Sequence, residues 1–174
     1  ISENEKKEPT NDYAKSKLAA EKYCKEFAKR EHIKITVVRP GYIYGYGQYS
    51  ERLFPKLIEY ALFHKKQKTG KSGERVEKKP VLIGGGYDFV YVKDVSSGIV
   101  LLGENKQKYN FEVYNISSGK YTKIKEIFDI VKDLTGFKSD KKELTNKEEK
   151  RFCLSIEKAR KKGWTNAQRC IEKF

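Results

Sequence analysis

A β-branched run, Lys34-Ile35-Thr36-Val37-Val38, follows a long amphipathic stretch and breaks directly into Arg39-Pro40-Gly41. This constrains the fold more than any other feature of the chain. The stretch before it begins at Pro9-Thr10-Asn11-Asp12, a cluster of turn formers that supplies an N-cap. From there Tyr13, Lys17, Ala20, Cys24 and Phe27 form one helical stripe, with Leu18, Tyr23 and Ala28 adding apolar surface. Helix, short link and β-rich strand make the alternation of a parallel α/β sheet. Ligands in open sheets of this kind bind at the carboxyl ends of strands, and Arg39-Pro40-Gly41 falls at such an end.

Tyr13 and Lys17 are four residues apart, so a helix places them one above the other on one face. A neighbouring ammonium favours the ionised phenolate and lowers a tyrosine from its free pKa of about 10. A phenol tuned in this way can exchange a proton with a hydroxyl or carbonyl near neutral pH. The plain alternative is a solvated tyrosine and lysine on a lysine-rich helix.

Further along, Arg52 to Lys65 carries Leu53, Leu57, Ile58, Ala61 and Leu62 at helical spacing. Pro80 to Ile83 reads as a short strand, and Phe89 to Val92 as another, followed by a helix from Lys93 to Leu102 capped by Asp94. Glu112 to Ile116 is a strand. A strongly amphipathic helix opens at Tyr121 or Thr122, continues through Ile124, Ile127, Phe128, Val131 and Leu134, and stops at Gly136. Ile156 to Lys162 is a last helix ended by Gly163, with Trp164 expected in the core. Tyr42, Tyr44, Tyr46 and Tyr49 cluster after the first strand, where they serve either as packing or as the lining of a substrate cleft.

Five ordered motifs then resemble one family. Tyr13-Ala14-Lys15-Ser16-Lys17 with Glu21 looks like its Y-x-x-S-K-x-x-x-E helix, and Arg39 to Gly47 like its R-P-x-x-V-Y-G-P-G strand end. Asp88 to Val95 is similar to R-D-F-V-Y-V-D-D-V, and Val113 to Gly119 to a Y-N-I-G-S-G strand and turn. Ser155 to Trp164 resembles D-x-S-K-A-R-x-x-L-G-W. The family is the extended short-chain dehydrogenase/reductases, in their NAD-dependent epimerase/dehydratase branch. The resemblance implies the C-terminal part of a Rossmann-like parallel sheet fold plus a small α+β substrate-binding region. Residues 1–50 would complete the dinucleotide-binding domain, and residues 51–174 would mostly form the substrate-binding region.

The same resemblance implies roles. Tyr13 would be the acid/base group, and Lys17 would tune it and hold the nicotinamide ribose of NAD or NADP. Pro40 and the backbone following it, through Ile43, would pack on the nicotinamide ring. Arg52 and Leu53, with Val81 to Ile83 and Tyr87, would hold a nucleotide-sugar substrate. Tyr87 stands where most relatives have an arginine that grips the pyrophosphate, and Tyr42 lies near the place of a usual asparagine. A tyrosine hydroxyl can hydrogen-bond a phosphate without neutralising it or forming a bidentate fork. The family's Gly-rich cofactor turn and its catalytic Ser/Thr precede the tyrosine; Gly84-Gly85-Gly86 and Gly41/Gly45/Gly47 do not replace that turn. With Ile1 first and no methionine, the chain reads as the C-terminal half of a longer enzyme, inactive and unable to bind dinucleotide without its N-terminal half. Analogy adds a homodimer through helices that include Tyr13 to Arg30.

Charge raises the alternative. Lys+Arg number 38 against 24 Asp+Glu, a net +14, concentrated in His64 to Lys79 and Lys138 to Arg151. Both stretches read as solvated loops, the second partly helical. A nucleic-acid partner, with the fold reused for RNA binding, ranks behind a nucleotide-sugar substrate, as does reduction of small alcohols or ketones. Cys24, Cys153 and Cys170 lack metal-ligand spacing, and His32 and His64 have no ligand partners in sequence, so no metal site is expected. Reduced thiols and the lack of a membrane-length apolar run point to the cytoplasm, without membrane partners.

Overall fold

The computed structural model describes residues 1–67, 82–83, 85–105, 109–138, 144–145 and 152–166. Helix α1 (Asp12–Arg30) begins where Asn11 accepts the Ala14 N–H on its side-chain oxygen at 2.8 Å. It leads into β1 (Ile35–Pro40) and β2 (Tyr42–Tyr44). Helix α2 (Leu53–Gln67), strands β3 (Leu82–Ile83) and β4 (Gly86–Tyr91) and helix α3 (Val92–Glu104) come next. Then follow β5 (Phe111–Ile116), β6 (Tyr121–Lys123), α4 (Ile124–Thr135), β7 (Leu144–Thr145) and the short α5 (Glu157–Arg160).

The β-branched residues of β1 pair in parallel with β5, from Ile35 opposite Phe111 to Pro40 opposite Ile116. A parallel pair requires a long crossover. Here the chain returns through α3, which packs on β1 and β4, while α1 covers β1 and β5. Beyond Pro40, β2 pairs in parallel with β4, and β4 pairs antiparallel with β6. Gly41 joins β1 to β2. Its N–H donates to the Ile116 carbonyl at 3.0 Å, and a Cβ there would lie 2.0 Å from Ser117 Oγ. Only glycine lets the two strand ends come this close.

Two cores flank β4. Phe89 joins Tyr44, Phe54, Leu57, Tyr60, Ile127, Phe128 and Phe137 between α2 and α4. Val90, its neighbour on the opposite face, joins Val95, Tyr114, Ile116 and Trp164 beneath α3 and α5. Trp164 is buried as expected, its indole N–H donating to the Asp94 carbonyl at 3.1 Å.

Several sequence expectations are corrected. Tyr121 and Thr122 do not open a helix; they form β6, opposite Asp88 and Tyr87, and α4 starts at Ile124. Pairing to β4 outweighs the helical periodicity there, which reaches only as far back as Ile124. The end of α4 is as read: Gly136 sits at φ 66° and satisfies the Lys132 carbonyl. Tyr42 to Tyr44, taken as part of a turn, form a strand. Strand β4 starts earlier than expected, at Gly86, and Val92 already belongs to α3. Asp94 is no cap; it is buried in the first turn behind Tyr91, which makes no side-chain cap bond. Leu144–Thr145, inside the stretch read as loop and helix, pairs with Leu82–Ile83 as a strand. The last helix is limited to Glu157–Arg160. Pro80, and most of the two lysine-rich stretches, lie outside the described residues. No described helix is long and apolar enough to cross a membrane.

Candidate active site

The carboxyl ends of β1 and β5 lie together, and the chain leaving β1 bends under the first turns of α1. The result is an open cleft of about 1140 Å³. Tyr13, Lys17, Glu21 and Cys24 line it from α1, Val37 to Pro40 from β1, Tyr42 to Tyr44 from β2, and Gln48 and Arg52 from the following loop. Four residues of the α1 stripe, Tyr13, Lys17, Ala20 and Cys24, face this opening, and Ala28 is the one buried residue of the helix.

Tyr13 and Lys17 share a face as their spacing requires. The Lys17 ammonium lies 5.3 Å from the Tyr13 ring centroid, and Tyr13 is 72% exposed. Pro40 and Ile43 stand in the same cleft, and so does Arg52. Gln48 is anchored there by a bond from its Nε2 to the Ile43 carbonyl at 3.1 Å, and its buried Oε1 has no hydrogen-bond partner among the described residues.

Other expected site residues separate from this group. Leu53 packs against the core between α2 and α4. Ile83 is described only as part of β3, and Val81 lies outside the described residues. Tyr87 lines a second recess, of about 490 Å³, with Gly41, Tyr42, Gly86, Asp88, Phe152 and Leu154. Its ring lies 4.9 Å from that of Tyr42, and the two form an aromatic wall backed by the buried Phe89, 5.7 Å from Tyr87. Gly41 and Tyr42 belong to both openings.

Two polar arrangements escaped the sequence reading. In the first, Arg39 grips Glu21 with both prongs of its guanidinium: Nε to Oε2 at 2.9 Å and Nη2 to Oε1 at 2.7 Å. Its third nitrogen donates to the Glu3 carbonyl at 3.1 Å, and Lys7 also bonds Glu21. Burial alone would raise the Glu21 carboxyl, yet the hydrogen bonds and charges of Arg39 and Lys7 outweigh it and hold the group below its ordinary value. In the second, the buried Asp88 accepts from the Ser118 N–H at 3.0 Å, the Ser118 hydroxyl at 2.6 Å and the Leu154 N–H at 3.0 Å. The Cys153 thiol lies 3.7 Å from its second oxygen; burial first, and then the Asp88 charge, push that thiol up. Glu21 had a visible signal in its place one turn after Lys17. The role of Asp88 had none, because its partners are distant in sequence.

Among the described residues no group of His, Cys, Asp and Glu is arranged to hold a metal ion. The first cleft sets a phenol and an ammonium on one side and Pro40 on the other. It offers no glycine turn opening a helix, since Gly41, Gly45 and Gly47 lie between strands and in a loop.

The fold is that of a Rossmann-type α/β family. The model of the NAD dependent epimerase/dehydratase family matches residues 1–117, and the chain belongs to that family of nucleotide-sugar epimerases and dehydratases. A putative UDP-glucose 4-epimerase of Methanocaldococcus jannaschii is 30% identical over 171 residues, covering 94% of this chain and 51% of that protein. Among solved structures, the RMD protein of Pseudomonas aeruginosa complexed with NADPH is 28% identical, with a TM-score of 0.74 over 95% of this chain and 54% of that one. UDP-glucuronic acid 4-epimerase of Bacillus cereus, in complex with UDP-glucuronic acid and NAD, is 25% identical, with a TM-score of 0.73 over 97% of this chain and 52% of that one. The chain spans about half the length of these relatives.

Proposed function

We propose that this chain is the C-terminal part of an NAD(P)-dependent nucleotide-sugar epimerase or dehydratase, with Tyr13 as its acid/base group. The observation that carries the reading is the meeting of Tyr13, Lys17 and Pro40 in one cleft at the carboxyl end of β1. Bound NAD(P) would supply the acceptor and later the donor of a hydride. Tyr13 would take the proton from the sugar hydroxyl being oxidised and return it in the reverse direction. Lys17, beside the ring, would stabilise the phenolate and hydrogen-bond the nicotinamide ribose. Pro40 and the backbone to Ile43 would set the depth of the nicotinamide. Arg52, across the cleft, would reach the substrate. The remainder of a longer protein would bind the dinucleotide phosphates, and the 174 residues alone would be inactive.

The test is Tyr13→Phe in the full-length protein carrying this chain. Turnover should fall about 10²–10⁴-fold, the range for removal of a general acid/base, with melting temperature and cofactor affinity unchanged. Turnover equal to wild type would remove Tyr13 from the mechanism.

A second reading is favoured by Tyr87, which takes the place where the family resemblance implies a phosphate-gripping arginine and instead sets its ring 4.9 Å from that of Tyr42. On that reading the enzyme reduces smaller alcohols or ketones on the same scaffold. Thermal protection by UDP, GDP or dTDP sugars selects the first reading. Protection by small carbonyl compounds alone selects the second.

A further inference from the structure

We propose that the Arg39–Glu21 fork is the positioning device of this active site. It sets the reach between the helix that carries Tyr13 and Lys17 and the strand end that carries Pro40. The inference rests on the reading of Tyr13 and Lys17 given above.

Helix α1 and the end of β1 face each other across the first cleft. The N-terminal half of the helix buries no residue, and its cleft-facing side chains are Tyr13, Lys17, Ala20, Glu21 and Cys24. Between helix and strand end runs a polar fastening, and precise positioning of a site needs such a supporting contact. Glu21 lies one turn beyond Lys17 and two beyond Tyr13, on the same face. Arg39 immediately precedes Pro40. The two side chains are 15% and 23% exposed and meet through two parallel bonds, 2.7 and 2.9 Å long. A planar fork fixes angle as well as distance, which a single lysine contact does not.

The fork also has support behind it. Arg39 donates its remaining bond to the Glu3 carbonyl, and the Glu3 carboxylate accepts the Asn115 N–H at 2.9 Å. Asn115 lies opposite Arg39 in the β1–β5 register. Lys7 bonds Glu21 from the segment preceding the helix. Helix, strand end and N-terminal segment are thus tied through the Glu21 carboxylate, and the neighbouring strand joins them through that of Glu3. Glu21 and Arg39 touch no reacting atom in this scheme; they act through Tyr13, Lys17 and Pro40.

The experiment uses the full-length protein with Glu21→Gln, Arg39→Lys and the exchanged pair Glu21→Arg with Arg39→Glu. Hydrogen exchange is read over residues 12–21 and, as reference, over α4. Loss of the fork should speed exchange in the first segment at least fivefold while α4 keeps its rate. It should lower kcat about 10–100-fold, the scale of an ångström-sized misplacement, with KM for the sugar substrate within twofold. The exchanged pair should recover part of kcat. Wild-type exchange and kcat in Glu21→Gln, or equal acceleration in α4 and residues 12–21, would overturn the proposal. The Tyr13→Phe variant is run alongside: if it retains full turnover, the reading of the site fails, whereas the exchange data still judge the fork.

Discussion

The two openings that share Gly41 and Tyr42 use their charged residues in opposite ways. In the first cleft the phenol and ammonium of Tyr13 and Lys17 remain open, and the carboxylate behind them, Glu21, is held by side-chain cations. In the second recess the carboxylate, Asp88, is buried and taken up by Ser118 and the Leu154 backbone, so the walls present rings: Tyr42, Tyr87 and Phe152. One site keeps its phenol and ammonium accessible on a helix face. The other uses its charge to stitch β4 to two distant loops and keeps aromatic faces for contact. The lesson is that similar acidic residues, each near a motif, serve positioning in one place and folding in the other.

The strongest way to break this contrast is to remove Asp88. Asp88→Ala leaves the half-buried Ser118 and Leu154 N–H groups without their acceptor, and an unsatisfied donor costs about 1–3 kcal/mol when buried. The expected loss is therefore about 3 kcal/mol in urea denaturation of the full-length protein. Tyr46→Ala, at a fully exposed rim position of the first cleft, should stay within about 0.5 kcal/mol. Equal losses for the two variants would mean that Asp88 is not the fastening it resembles.

The next test concerns the aromatic wall. Tyr87→Arg restores a planar cation that can pair bidentately with a diphosphate. If the recess receives the diphosphate of a nucleotide sugar, affinity for UDP or GDP should rise about tenfold, equivalent to about 1.4 kcal/mol, as measured by calorimetry. An unchanged or weaker affinity would place the diphosphate elsewhere and favour the small-carbonyl reading.

How far the sequence reveals these sites depends on how local their determinants are. The helix carrying Tyr13 and Lys17, the β-branched β1 and the Gly136 stop of α4 are written in contiguous residues, so periodicity and capping expose them. The parallel class of the β1–β5 pair follows from the alternation of elements. Long-range pairing is what periodicity misses. Tyr121 and Thr122 read as the start of a helix because Ile124 and its successors are helical; only the facing Gly86 to Asp88 makes them a strand. Asp94 has the look of a cap, yet the helix starts earlier and encloses it. The Glu21–Arg39 pair joins residues whose motifs were each visible, whereas their partnership depends on how α1 crosses β1. Tyr87 was grouped with Arg52 as a substrate contact; the fold places it across the wall formed with Tyr42.

The finest test sharpens the contrast through pH. The Glu21 carboxyl is held below its ordinary value of 4.5 in the folded protein, because Arg39 and Lys7 overcome the opposing effect of burial. A carboxyl depressed by folding contributes stability above its unfolded-state pKa, and that contribution vanishes as pH falls through the folded value. Wild type should therefore lose stability on acidification below about pH 4.5 more steeply than Glu21→Gln, while the two run parallel above it. The difference should shrink in high salt only modestly, since the pair is largely shielded from solvent. Denaturation midpoints measured from pH 7 down to pH 3 give the comparison. Identical pH slopes for wild type and variant would mean that the fork adds no linkage, the Glu21 carboxyl then titrating alike in the folded and unfolded chain.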